Sequence, residues 1–114
     1  MKLRYHQGLS IERWKEFVFF KQILMIANEL NRAINWIKKE DFKEVRLCYE
    51  RAFELLYLTI SGLKEKNKLR ELLRVKEMLA LFYLQDRPGL EENTKLLQAL
   101  LLLDKDSFGC MVRS

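Results

Sequence analysis

Residues 11–39 have the sequence IERWKEFVFFKQILMIANELNRAINWIKK. Apolar residues recur along this stretch every three or four positions, which is the spacing of an amphipathic helix. Ser10, which precedes it, is a residue type that caps helix N-termini. Neither glycine nor proline interrupts the stretch. The pattern therefore predicts one long helix over residues 11–39.

The rest of the chain repeats this periodicity in three more segments. Asp41 is a candidate N-cap, and Glu44 follows it at the spacing of a capping box. The turn Arg87-Pro88-Gly89 separates the last two segments. The remaining predicted helices cover residues 42–66, 68–86 and 90–104, and the predicted tails cover residues 1–9 and 105–114.

The composition indicates an all-α protein of one domain. A chain of 114 residues fits a single domain. Leu, Lys, Glu and Arg are strong helix formers, whereas only four glycines and one proline are present. Short connections make consecutive long helices antiparallel neighbours. We therefore predict an antiparallel bundle of about four helices, three long and one shorter. The abundance of Lys, Arg and Glu is also typical of thermophile proteins.

Three segments carry more apolar residues than the single buried stripe of a bundle helix requires. They are residues 17–27, 78–84 and 100–103. Large exposed apolar patches mark interaction sites. The simplest partner is a second copy of the chain, so we expect a homodimer, with another helical protein as the alternative partner. The residues expected in the contact are Phe19, Phe20, Leu81, Phe82, Leu84, Leu101 and Leu102. The opposing hypothesis is a monomer with the first helix at its centre and the last folded across it.

A basic stretch spans the turn between the second and third predicted helices. The chain has a formal net charge of +5, and residues 64–76 hold most of it. Such a cluster can contact phosphates, so nucleic-acid binding is the alternative function. No aromatic residues interleave with the basic ones, which argues against stacking on single strands. The residues that would bind nucleic acid are Lys64, Lys66, Lys68, Arg70 and Arg74.

Side chains suited to catalysis near neutral pH are scarce. His6 is the only histidine and falls in a predicted tail. Zinc sites need three or four ligands, and no second histidine or cysteine pair accompanies it. Glu29, Glu50 and Glu54 are predicted on or beside polar helix faces. The Glu-x-x-His pattern of di-iron bundles and glycine-rich phosphate loops are both missing. We therefore expect neither an enzyme nor a metal or cofactor.

The two cysteines, Cys48 and Cys110, are isolated from each other. Cys48 lies within a helical pattern and is expected to be a small buried apolar group. Cys110 falls in the predicted C-terminal tail. The chain shows no apolar leader and no apolar stretch long enough for a membrane span. We therefore expect a cytoplasmic protein with reduced thiols and no membrane contact.

Residues 41–55 resemble the second helix of a tetratricopeptide repeat. The residues that fit its pattern are Phe42, Tyr49, Ala52, Glu54 and Leu55, while Val45 stands where the repeat has alanine. The first predicted helix lacks the repeat's first-helix pattern, and no period of about 34 residues recurs. We interpret the likeness as convergent, because closely packed helices need aromatic and small residues at these spacings. No peptide-binding function is carried over.

Overall fold

The computed structural model describes residues 3–103, and every regular element in that range is an α-helix. The helices are α1 (Ile11–Lys15), α2 (Phe19–Lys38), α3 (Phe42–Gly62), α4 (Lys66–Tyr83) and α5 (Leu90–Leu101). The three-residue connection from α2 to α3 makes these two long helices antiparallel neighbours. α5 packs against α2, α4 packs against α3 and α5, and α1 packs against α3. The all-α prediction is confirmed.

The first predicted helix is interrupted, so the prediction of one helix over residues 11–39 is wrong. α1 ends at Lys15, and α2 starts after Val18, whose backbone is extended (φ −65°, ψ 157°). The indole of Trp14 is buried and donates from Nε1 to Thr59 Oγ1 on α3 at 2.8 Å. The Trp14 carbonyl accepts from the Gln22 side chain (Nε2) at 2.8 Å and from the Phe17 backbone amide at 3.1 Å, whereas in a continuous helix it would accept from the Val18 amide. Tertiary contacts of Trp14 thus override local helix propensity.

The junction between α2 and α3 is built from local capping signals. Glu40 adopts a left-handed backbone (φ 57°) at the end of α2. Its amide donates to the Ile37 carbonyl, and the amide of Asp41 donates to the Trp36 carbonyl, which is the Schellman pattern. The Asp41 side chain accepts from the Glu44 amide at 3.3 Å and caps α3. The prediction of Asp41 as an N-cap is confirmed, as is that of Ser10 on α1.

The other helix boundaries shift by up to four residues. α3 ends at Gly62 rather than residue 66, because Leu63 turns to extended backbone. α4 begins at Lys66 and places Asn67 inside the helix, because the Glu65 carboxylate caps it by accepting from the amides of Asn67 and Lys68. α4 ends at Tyr83, short of residue 86. α5 ends at Leu101, and the predicted tail 105–114, with Cys110, lies outside the described residues.

The core is centred on α2 and α3. Ile23, Ile26 and Leu30 of α2 are fully buried, and so are Cys48 and Tyr49 of α3, which confirms Cys48 as a buried free thiol. Its burial raises the pKa of the Cys48 thiol. α5 covers α2 with four buried leucines, namely Leu96, Leu97, Leu100 and Leu101.

Candidate interaction surface

The residues predicted to form an apolar contact do not share one surface. Phe82 and Leu101 are only 7% and 6% exposed and belong to the core of the single chain, which corrects their assignment to a contact surface. Phe19 and Phe20, at the start of α2, are half-buried. Leu102, at the end of α5, is exposed. Leu81 and Leu84, at the end of α4, are 56% and 78% exposed.

Most of the predicted apolar excess is covered within the chain. The interruption between α1 and α2 lets Trp14 pack on α3 beside Phe17 at a ring distance of 5.6 Å. α2 then buries its apolar residues against both α3 and α5. The excess that remains is concentrated on α4, where Leu73, Leu81 and Leu84 are exposed.

The inward face of α4 explains why these leucines point outward. Leu72, Val75, Leu79 and Phe82 are its buried residues, and they follow each other at spacings of three and four. A helix turns about 100° per residue, so Leu73, Leu81 and Leu84 project to the opposite side. The same 3-4-3 spacing is visible in the sequence and could have identified the buried seam. Met78 is exposed as well.

Three of the predicted basic residues lie on the same side of α4 as these leucines. Lys66, Arg70 and Arg74 border a surface groove of about 490 Å³, together with Leu69, Leu73 and Glu77. We define the α4 outer face as Lys66, Leu69, Arg70, Leu73, Arg74, Glu77, Leu81 and Leu84. It combines residues from the predicted apolar contact with residues from the predicted nucleic-acid site.

The other two basic residues lie elsewhere. Lys68 is half-buried, and its Nζ atom lies 4.5 Å from the centre of the Phe19 ring, so this lysine joins α4 to α2. Lys64 is exposed in the connection between α3 and α4. Leu102 borders a separate groove of about 470 Å³ with Asn67, Lys68 and Glu71.

The charged groups of the α4 outer face have no ionic partner within residues 3–103. Six ion pairs connect side chains there, and none of them includes Lys66, Arg70, Arg74 or Glu77. The face therefore presents three unpaired positive charges and one unpaired negative charge beside exposed leucines. Such a surface can accept a helix that offers apolar side chains and acidic groups.

A polar cluster on α3 fixes residues 3–6, which corrects the prediction of a loose tail for this part of residues 1–9. The Glu54 carboxylate accepts hydrogen bonds from the amides of Arg4, Tyr5 and His6 and contacts His6 Nδ1 at 2.7 Å. Leu3 is buried. One turn earlier on α3, Glu50 accepts from the hydroxyls of Tyr5 and Tyr83. The segment is thereby attached to α3, and Glu50 also joins α3 to the end of α4.

The three carboxylates that were predicted on polar faces are all engaged in the interior or at its edge. Glu29 is buried and accepts from Arg51 Nε at 2.8 Å and from Arg32 Nη1 at 3.1 Å. Apart from Arg32, which is three residues from Glu29, their donors come from residues far away in sequence, which periodicity cannot reveal. The polar-face prediction is therefore wrong for Glu29 and incomplete for Glu50 and Glu54.

The hydrogen bonds keep Glu50 and Glu54 ionised. Burial opposes the charge on Glu54, but donation from the Tyr5 amide and from His6 outweighs it and lowers the pKa of Glu54. The Tyr5 hydroxyl lowers the pKa of Glu50, against the effect of burial. The same hydrogen bonds raise the pKa of the Tyr5 and Tyr83 phenols. Both carboxylates thus act as charged anchors for the hydrogen-bond donors around them.

Glu54→Gln is expected to lower the free energy of unfolding by about 2 kcal/mol, because hydrogen bonds to a charged acceptor are stronger than those to an amide. The amides of residues 4–6 should also exchange faster with solvent, since they lose their shared acceptor. Urea unfolding and hydrogen exchange measure the two effects. An unchanged exchange rate would show that Leu3 alone holds the segment.

The pH dependence of stability provides a control for this anchor. The pKa of both carboxylates is lower in the folded chain than their ordinary value of 4.5. The unfolded chain therefore binds more protons, and stability falls as the pH drops from about that value through the lower folded values. The double variant E50Q/E54Q should lack this part of the acid dependence and should be less stable at neutral pH.

Within residues 3–103, no group of three or more His, Cys, Asp or Glu side chains is arranged to hold a metal ion. None of the helices in that range has both the length and the apolar character of a membrane span. In comparisons with known proteins, neither a family model nor a curated protein nor a solved structure matches the chain.

Proposed function

We propose that this chain is a non-enzymatic interaction module that self-associates through the α4 outer face. The observation that carries the proposal is the line of exposed leucines on one side of α4, Leu73, Leu81 and Leu84. Apolar side chains aligned on a helix are stabilised when a partner covers them. The polar clusters elsewhere support a non-enzymatic role, because Glu29, Glu50 and Glu54 each hold structural partners.

Leu81→Lys is expected to raise the dimer dissociation constant by at least about 30-fold, because it removes an apolar side chain from the contact and adds a positive charge to a face that already carries Lys66, Arg70 and Arg74. Sedimentation velocity or light scattering over micromolar to millimolar protein measures this. Leu81 is exposed in the single chain, so its replacement should leave the helical circular dichroism signal and the thermal midpoint nearly unchanged.

The matched control is Leu102→Lys, the same substitution at another exposed leucine, which borders the separate groove with Asn67, Lys68 and Glu71. It should leave self-association unchanged. A wild-type protein that stays monomeric up to millimolar concentration would overturn the proposal. Dissociation by Leu102→Lys but not by Leu81→Lys would place the contact at the end of α5 instead.

Nucleic-acid binding is the second candidate, and the alignment of Lys66, Arg70 and Arg74 on one side of α4 favours it. Leu69 and Leu73 border the same groove, and Lys68 contacts Phe19. Only three of the five basic residues predicted to bind nucleic acid therefore border this groove. Duplex and single-stranded oligonucleotides should then bind at low salt, with affinity falling steeply as salt rises. An absence of binding at low salt would exclude this function.

A further inference from the structure

A small pocket lies where the start of the described chain, α2 and α3 meet. α2 contributes Met25, Asn28, Glu29 and Arg32 to its lining, and α3 contributes Arg51 and Leu55. Its volume is about 180 Å³, below the roughly 300–1,000 Å³ of pockets for drug-sized molecules, so it suits a small ligand. Apolar walls with a few convergent polar groups are typical of ligand sites.

Two guanidinium groups converge on one carboxylate in this pocket. Arg32 Nη1 and Arg51 Nε both donate to the Oε1 atom of Glu29 at 3.1 Å. Arg51 Nε also donates to the Oε2 atom of Glu29 at 2.8 Å. Glu29 is only 4% exposed, and its carboxylate holds both arginines in place. Because one carboxylate balances only one guanidinium, the cluster has an excess of one positive charge beside the cavity.

Both arginines retain unused hydrogen-bond donors. A guanidinium presents several N–H groups in a rigid fork that matches the two oxygens of a carboxylate. Within residues 3–103, Arg32 uses only Nη1, and Arg51 uses Nε together with Nη2, which contacts Cys48 Sγ at 3.3 Å. The Arg51 side chain is 24% exposed, so water screens its charge less than it screens that of a surface arginine.

The carboxylate of Glu54, which is close to the pocket, is engaged elsewhere. His6 borders the pocket, and its Nδ1 atom lies 2.7 Å from Glu54 Oε2. The other hydrogen bonds of Glu54 come from the backbone amides of residues 4–6. Among the ion pairs of residues 3–103, those of Arg32 and Arg51 are with Glu29 alone. The excess positive charge is therefore left for a ligand.

We infer that this pocket binds a small aliphatic monocarboxylate. The ligand carboxylate accepts from the unused N–H groups of Arg32 and Arg51 and supplies the second negative charge that these two arginines lack. Its short aliphatic part lies against Met25 and Leu55, which provide the apolar side of the pocket. No residue of the α4 outer face takes part, so this site does not depend on the proposed self-association.

Propionate is the probe for this site, and propionamide, which has nearly the same shape but no charge, is the matched control ligand. In an NMR titration of the backbone amides at constant ionic strength, propionate should give saturable shifts in residues 25–32 and 51–55, with a dissociation constant below about 10 mM. Propionamide and inorganic phosphate should bind at least about tenfold more weakly, because the first lacks the charge and the second lacks the apolar part.

Three results of this titration would overturn the inference. One is a propionate response that does not saturate. Another is equal binding of propionate and propionamide, since the arginines would then play no part. The third is saturable binding of phosphate without binding of propionate, which would exclude a carboxylate as the ligand.

Substitution of the arginines tests the same site from the protein side. Arg32→Gln should raise the dissociation constant of propionate by about tenfold, while Arg51 remains as the partner of Glu29 and maintains the fold. Arg46→Gln is the matched control, because Arg46 on α3 pairs with Asp86 and does not border the pocket. It should leave binding unchanged. Equal weakening by both variants would show a general charge effect and would contradict a specific site.

Discussion

Trp14→Ala is expected to lower the free energy of unfolding by about 4 kcal/mol, the largest effect of any single change considered in this chain. Trp14 is fully buried, although it belongs to a helix of only five residues. Its removal leaves a cavity between α1 and α3 that the surrounding helices can fill only in part. The free energy of unfolding of domains of this size is about 5–15 kcal/mol, so the variant would lose a large share of it.

The loss has a polar component as well as an apolar one. The Thr59 hydroxyl accepts from the Trp14 indole at 2.8 Å and donates to the Leu55 carbonyl at 2.8 Å. Thr59→Val preserves the shape of the side chain but leaves the indole N–H without an acceptor, which should cost about 1–2 kcal/mol. Comparing this variant with Trp14→Ala separates the hydrogen bond from the packing.

Trp36→Ala is the matched control for Trp14→Ala. Trp36 is only half-buried, and Lys39 Nζ lies 5.0 Å from the centre of its ring. Its removal should cost about 1 kcal/mol. Urea unfolding measures all three variants, and in a Trp36→Phe background the emission of Trp14 reports its burial directly. Equal losses for Trp14→Ala and Trp36→Ala would contradict the placement of α1 against α3.

The break between α1 and α2, next to Trp14, could not be predicted from the local sequence. Residues 15–18 contain neither glycine nor proline, so local propensity favours a continuous helix through them. α1 ends at Lys15 because the buried Trp14 indole is hydrogen-bonded to Thr59, 45 positions further along the chain. The donors to Glu54 come from 48 to 50 positions away. Periodicity contains no information about pairs so distant, and it failed at both places.

Helix caps and turns, which depend only on neighbouring residues, were predicted correctly from the sequence. The caps Ser10 and Asp41 need only the amides that follow them, and both were located from residue type and spacing. The turn around Pro88 likewise separates α4 from α5, as the sequence indicates. The helical segments and their order were therefore predictable, whereas the break between α1 and α2 depended on the contact of Trp14 with α3.

The candidate surface was predictable in part, because the spacing of residues along a helix determines which side chains share a face. Leu81 and Leu84 were identified as surplus to the core, and Arg70 and Arg74 as a basic cluster. Their common location on one side of α4 was missed, since the buried seam through Val75 and Leu79 was not recognised. Phe82 was misassigned for the same reason. The number of apolar residues in α4 indicates that some must be exposed. Which of them are exposed depends on the direction in which the buried face of the helix points.

Asn93→Ala is expected to lower the free energy of unfolding by about 3 kcal/mol, because it removes the polar link between three helices. Asn93 is fully buried near the start of α5. Its Oδ1 atom accepts from the Tyr49 hydroxyl of α3 at 2.7 Å, and its Nδ2 atom donates to the Leu30 carbonyl of α2 at 3.0 Å. Alanine leaves both groups buried without this partner.

Burial raises the pKa of the Tyr49 phenol, which therefore stays a neutral donor to Asn93. Tyr49→Phe removes that donor and should cost about 1 kcal/mol. In the Tyr49→Phe background, Asn93→Ala should cost about 1 kcal/mol less than it does alone, since no phenol is left unsatisfied. The double-mutant cycle is measured by urea unfolding.

Asn93→Asp tests the second half of the link, because aspartate preserves the size of the side chain and can still accept from Tyr49. It cannot donate to the Leu30 carbonyl when ionised, and it places a charge in a buried site, so we expect a loss at least as large as that of Asn93→Ala. Hydrogen exchange should then quicken first in α5, because Asn93 is the buried polar contact that ties this helix to α2 and α3. If Asn93→Asp instead unfolds like the wild type, α5 is held by its four buried leucines alone.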